Sequence, residues 1–128
     1  MTLEYTIYED LKLVFAKAAG TLTAYDLNSY IDQLSKDPGY IPPMLKLVDF
    51  SMIDHCKISN KEVEIFSRKK TSMARHFIHE KCAIVIVTDL AFGMVKLHQA
   101  FIDDDIMATK IFSNLEQAIK WLGVNLSN

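Results

Sequence analysis

From Cys82 to Thr88 the chain carries no charge, and four consecutive positions, Ile84, Val85, Ile86 and Val87, are β-branched aliphatics. Such a run predicts a strand buried on both faces, the kind found in sheets covered by helices on either side. With this run as the central strand, the remaining elements arrange themselves as layers around it.

Leu3 to Tyr8 and Leu11 to Ala18 read as two strands joined at Glu9-Asp10 by a tight antiparallel hairpin, with Gly20 ending the second run. Thr23, with Asp26 three residues later, has the form of a capping box. Leu27, Tyr30, Ile31 and Leu34 then follow at i, i+3, i+4 and i+7, one face of a helix that stops at Asp37-Pro38-Gly39. After the stiff connector Ile41-Pro42-Pro43, Met44 to Phe50 reads as a third strand and Ser51 to Ile58 as a loop. Ser59 and Glu62 form a second capping box. Val63, Phe66, Met73 or Ala74, and Phe77 mark the buried face of a helix that reaches Ile78.

Beyond the apolar run, Asp89 is placed to cap a third helix whose face is Met94, Leu97 and Phe101. Gly93 in its first turn costs up to about 1 kcal/mol relative to alanine, so it is expected to serve close packing or backbone access to a ligand. Ile106 to Phe112 reads as the last strand. Ser113 with Glu116 suggests a cap for a final helix, whose stripe is Leu115, Ala118, Ile119 and Leu122 and whose stop is Gly123. Val124 to Asn128 is expected to fray. The order ββαβαβαβα over residues 1–128 predicts a single α/β domain. Its sheet has five strands, mostly parallel with an antiparallel first strand, and helices cover both faces through right-handed crossovers.

Composition narrows the class. The chain is half hydrophobic and 23% charged, and no apolar run approaches the roughly 20 residues of a membrane span. A net charge of -2 gives no global field for nucleic acid or an anionic membrane. The N-terminus lacks signal-peptide character and there are two cysteines, which points to the cytoplasm with reduced thiols. Charge is unevenly spread: Arg68, Lys69, Lys70, Arg75 and Lys81 hold five of the 14 basic residues, while Asp103, Asp104 and Asp105 are contiguous. The basic strip Arg68, Lys69, Lys70 and Arg75 reads either as a solvated helix face or as a surface that orients an acidic protein partner.

Catalytic signatures are absent from the sequence. Cys56 follows His55 directly, and neighbours in sequence rarely face one another as nucleophile and base must. His76, His79, His98, His55, Cys56 and Glu80 have no spacing typical of a metal site, and no glycine-rich phosphate loop follows any strand. Neither a metal nor a cofactor is called for. The architecture suggests a site at the carboxyl ends of the parallel strands, collecting Asp49, Ser51, Ser59, Thr88, Asp89, Phe92, Gly93 and Met94. Small hydroxyls, acids and one aromatic suit recognition of a peptide or small ligand better than bond breaking.

Several of these features together resemble the SpoIIAA-like family, whose fold is shared by STAS and CRAL-TRIO domains. They are Gly20-Thr21-Leu22-Thr23 after the hairpin, Val48-Asp49-Phe50-Ser51, Ala83 to Val87, Phe92-Gly93-Met94, Ile111-Phe112-Ser113, Ala118 and Trp121-Leu122. The similarity spans residues 3–123, and many members are small bacterial proteins without an assigned role. STAS domains that antagonise anti-sigma factors carry a phosphorylatable serine at the start of the helix after the third strand. The resemblance puts Ser59 near that place, but Lys57-Ile58-Ser59-Asn60 lacks the acid before the serine and the glycine after it. The leading expectation is a non-enzymatic regulatory or protein-interaction domain; a half-hydrophobic domain is compatible with homodimerisation, although no specific signal demands it. By analogy with CRAL-TRIO domains, the alternative is a carrier or sensor of a lipid or other apolar small molecule, lined by Met44, Met52, Phe77, Phe92, Met94, Phe101 and Met107. A small hydrolase or redox enzyme using Cys56 or a histidine is the third reading.

Overall fold

The computed structural model describes residues 3–73, 79–87, 89–101 and 107–126, and the side chains of all of these except 90, 91 and 101. Among them the chain runs β1 (Leu3–Tyr8), β2 (Leu13–Thr23), α1 (Ala24–Lys36), β3 (Leu45–Lys57), α2 (Asn60–Ser72), β4 (Glu80–Val85), α3 (Asp89–Phe101), β5 (Met107–Phe112) and α4 (Leu115–Leu122). The element order is the expected one. The five strands lie in sequence order across one sheet; β1 is antiparallel to β2 and every other pair is parallel. The middle strand is β3, and the apolar run supplies Cys82 to Val85 of β4, one place off centre between two parallel neighbours; Ile86 and Val87 lie past the strand, with Val87 exposed. Periodicity misplaced the centre because β3 is interrupted by Lys46 and Asp49, whereas β4 is not.

Each parallel crossover advances by one strand in the same direction, so a single hand of connection puts all the crossover helices on one face. Tyr30, Ile31 and Leu34 of α1, Phe66 of α2 and Val95 of α3 accordingly share one core with Val48, Phe50 and Ile84 of the sheet. After β5 the chain turns back, and Ala118 and Leu122 of α4 pack on Leu13, Leu47, Ala83 and Val85 of the opposite face. Helices thus cover both faces, three against one. The strand order never reverses, so the sheet has no switch-point crevice of the kind that usually holds a ligand in open α/β folds.

Local chemistry accounts for most boundaries. Both reciprocal capping boxes form, Thr23 with Asp26 and Ser59 with Glu62. Gly123 closes α4 at φ 74°, a left-handed conformation that glycine adopts without a Cβ penalty. The cap of α4 is Asn114 rather than Ser113: its side chain accepts from the Gln117 N–H at 2.9 Å. The β1–β2 connection is wider than a two-residue hairpin, with a 3-10 turn at Glu9–Leu11 and Lys12 in the left-handed region before Leu13 pairs with Tyr8. Val124 and Leu126 pack against the smaller core, so the tail as far as Leu126 is held down.

The largest departure is in β2 and β3, which continue past Gly20 and Phe50 to Thr23 and Lys57. Lys17 faces Asp49 but Ala19 faces Met52, and Gly20 faces Ile53 but Thr21 faces His55. At each step β3 has one extra residue, a β-bulge, and Gly20 takes φ 77° beside the second. Lys46, Val48, Phe50, Ile53 and Cys56 therefore share one core although their spacing changes from two to three after Phe50. A strict two-residue alternation ends at Phe50, and the segment beyond it reads as a loop. No helix among the described residues is long and apolar enough to cross a membrane.

Candidate functional site

A cavity of about 80 Å³ lies between the sheet and its three-helix layer. Val48 and Ile84 of the sheet, Ile31 of α1, Val63 of α2 and Val95 of α3 give it apolar walls. Helical spacing brings unexpected groups to the same place. On α2, Val63, Phe66, Ser67 and Lys70 occur at i, i+3, i+4 and i+7 and all are buried. On α3, His98 follows Met94 by four positions and Val95 by three, and all three line the cavity. Tyr30 of α1, Lys46 of β3 and Cys82 of β4 complete its polar lining at this end.

The buried polar groups form two linked sets. In the first, Glu80 begins β4 at 2% exposure. It pairs with Lys46 at 2.8 Å, accepts the Tyr40 hydroxyl, and accepts the Met44 N–H at 2.9 Å. Strand register explains the pairing: Lys46 lies opposite Cys82, and Glu80 is two residues before Cys82 on the same face. In the second set, Ser67 Oγ donates to the Val63 carbonyl at 2.8 Å and lies 2.7 Å from His98 Nδ1. The hydroxyl hydrogen is already used, so His98 Nδ1 carries the ring hydrogen and donates to Ser67. His98 Nε2 is left as an acceptor, and Lys70 Nζ donates to it at 3.2 Å. Lys70 Nζ also reaches Met107 Sδ at 3.6 Å.

Burial dominates the electrostatics. It pulls the Lys70 ammonium down to about 8, assisted by the charge of Lys46. It pulls His98 down to about 2, again with help from a neighbouring cation, Lys70. Lys46 is also pulled down by burial, and Glu80 opposes that effect. Burial pushes the Tyr30 hydroxyl well above its ordinary range, and among the described residues that hydroxyl has no hydrogen-bond partner. Lys70 has no carboxylate within ion-pair distance among the described residues.

The residues singled out in the sequence are scattered. Asp49 pairs opposite Val85 at the end of β4, and its Oδ1 accepts the Ser51 N–H at 2.9 Å; alternation places Asp49 on the α4 side of the sheet. Ser51 sits at the first bulge. Ser59 lies beyond the end of β3, ~20 Å further along the strand direction than Asp49, and caps α2. Asp89 and Phe92 are exposed on the first turn of α3 with Lys96 over the Phe92 ring, and Thr88 lies outside the described residues. A Cβ at Gly93 would meet nothing within 4 Å, so close packing is not its role. Of the seven that are described, only Met94 lines the cavity.

The basic strip is divided between surface and core. Arg68 pairs with Glu64 at 2.6 Å, Lys69 pairs with Asp32 at 2.8 Å, and Lys70 is buried; Arg75 lies outside the described residues. Of the proposed methionine and aromatic lining, Met94 alone borders the cavity, while Met52 and Phe92 are exposed and Met44 and Met107 are buried elsewhere in the core. Phe77 and the Phe101 side chain lie outside the described residues. The ionisable cluster sits at the amino-terminal ends of β3, β4 and β5, opposite to the expected edge.

Cys56 borders the cavity and Cys82 is buried; burial pushes both thiols up, away from the thiolate that nucleophilic chemistry uses. Among the described residues no three histidines, cysteines or acids converge as metal ligands. Residue type alone marks Lys70 as surface and Tyr30 as core, weighs Glu80 only as a metal ligand and does not single out Ser67. The usable signal for Lys70 was its place on the Val63-Phe66 stripe of α2.

No protein-family model matches the chain, and no curated protein matches it. Among solved structures, it is similar to an uncharacterised protein of the DUF3478 family from Shewanella loihica, described as having a SpoIIAA-like fold. The two are 20% identical over 94% of each chain, with a TM-score of 0.62. The one-directional sheet order, the antiparallel β1, the three-against-one helix layers and this match make the chain a SpoIIAA-like fold.

Proposed function

We propose that the protein is a non-enzymatic sensor or carrier domain that encloses a small, mostly apolar molecule between its sheet and α1, α2 and α3. The observation that carries this reading is the cavity itself, about 80 Å³ of space between the sheet and its three-helix layer. An engineered cavity of about 150 Å³ holds benzene, so this one has room for roughly three to five non-hydrogen atoms. That size favours a short molecule over a lipid. The raised thiols of Cys56 and Cys82 and the doubly engaged ring of His98 favour binding over bond breaking. Of the basic strip on which the interaction-domain expectation rests, Lys70 is buried, and Arg68 and Lys69 are paired with Glu64 and Asp32.

The test is native mass spectrometry of protein isolated from its own cells under mild conditions. A non-covalent adduct on the wild type, absent from a cavity-filling Val63→Phe variant, is the expected result. Bare polypeptide mass for both would contradict the reading.

A further inference from the structure

The lining of the cavity is chemically one-sided. Lys70 has three donor hydrogens when protonated, and His98 Nε2 and Met107 Sδ take two of them. Among the described residues the buried carboxylate nearby, Glu80, is held by Lys46, Tyr40 and the Met44 N–H. Among the same residues Lys70, which lines the apolar space, has no carboxylate partner. Leaving a buried ammonium without a counter-charge is costly in a low-dielectric interior.

We infer that the cavity takes a short-chain monocarboxylate, which accepts from Lys70 Nζ while its carbon end lies against Val48 and Ile84. This rests on the ligand-binding reading above. An ionised carboxylate is acceptor-only, which matches a lining that offers donors. It also supplies the negative charge that Lys70 lacks, which a water or an alcohol does not. The apolar walls favour a carbon tail over a bare inorganic anion, and the volume limits that tail to about two or three carbons.

The experiment is an amide-resonance titration of the intact protein at pH 7 with propanoate and, separately, with 1-propanol, at constant ionic strength. Propanoate is expected to bind at least tenfold more tightly, with shifts centred on Val63, Lys70 and Ile84. Lys70→Met is expected to abolish that preference. Equal affinities in the wild type, or a preference that survives Lys70→Met, overturns the inference. If 1-propanol enters the cavity and propanoate does not, the inference fails and the ligand-binding reading stands. If neither probe moves those resonances, both fail.

Discussion

Lys70 Nζ donates to His98 Nε2 at 3.2 Å, so a buried ammonium leans on a neutral imidazole rather than on a carboxylate. Folding pulls Lys70 from 10.5 down to about 8. The unfolded chain therefore binds the extra proton between those values, and this group makes stability rise with pH across that window. Tyr30 and Cys82, packed nearby, are shifted up and act in the opposite direction at high pH. The clean quantity is thus the difference between wild type and Lys70→Met in urea unfolding. At pH 7 the variant is expected to be more stable, by on the order of 3 kcal/mol at most, and the advantage should shrink from pH 8 to 10.5. An advantage that stays constant with pH would mean Lys70 is not the titrating group.

His98 gives the acid-side counterpart. Burial holds its ring down to about 2, against 6.5 when free. The unfolded state gains a proton as pH falls below 6.5 while the folded state does not, so the corresponding stability is lost progressively on the acid side. Nitrogen-15 spectra are expected to show the ring neutral between pH 5 and 8 with the hydrogen on Nδ1. Ser67→Ala removes the acceptor of that hydrogen and should cost about 1 to 3 kcal/mol. A ring that protonates near pH 6 in the folded protein would contradict the assignment.

Glu80 anchors Lys46, Tyr40 and the backbone of Met44 from a fully buried position. Truncation to alanine strands the Lys46 charge and frees two donors. Glu80→Ala is expected to destabilise by about 3 to 5 kcal/mol, as breaking one side of a buried pair does. Chemical denaturation measures it, and a loss under 1 kcal/mol would show that water replaces the carboxylate.

Ser59 separates a structural role from a signalling one. Its hydroxyl accepts the Glu62 N–H at 3.1 Å, and Glu62 returns a bond to the Ser59 N–H at 2.9 Å. Ser59→Ala should cost about 1 kcal/mol and Ser59→Asp close to nothing, because aspartate caps equally well. Thermal unfolding distinguishes them, and equal losses for the two variants would show that the cap contributes through something other than its acceptor.

Much of the fold was legible because its signals are local. Thr23-Asp26, Ser59-Glu62 and Gly123 act within a few residues, and the run marks its own burial from Ile84 to Ile86, although Val87 is exposed. The bulges in β3 were not legible, since an extra residue opposite Ala18 depends on the partner strand and leaves only a broken alternation. The site was mostly illegible for a different reason. Arg68, Lys69 and Lys70 are adjacent letters, but successive helix positions turn by about 100°, so the first points outward and the third inward. Residue type argued for one surface, and geometry separated them. Glu80 and Lys46 are buried through strand register, which no single segment encodes.

The cavity beneath α2 is the centre of the account, and a crystal under xenon pressure tests it most directly. Apolar cavities of this kind take up xenon. Xenon density in contact with Val63 and Ile84, absent from Val63→Phe, is the predicted result. A core filled in that space by side chains, with no xenon site between the sheet and α2, would contradict it.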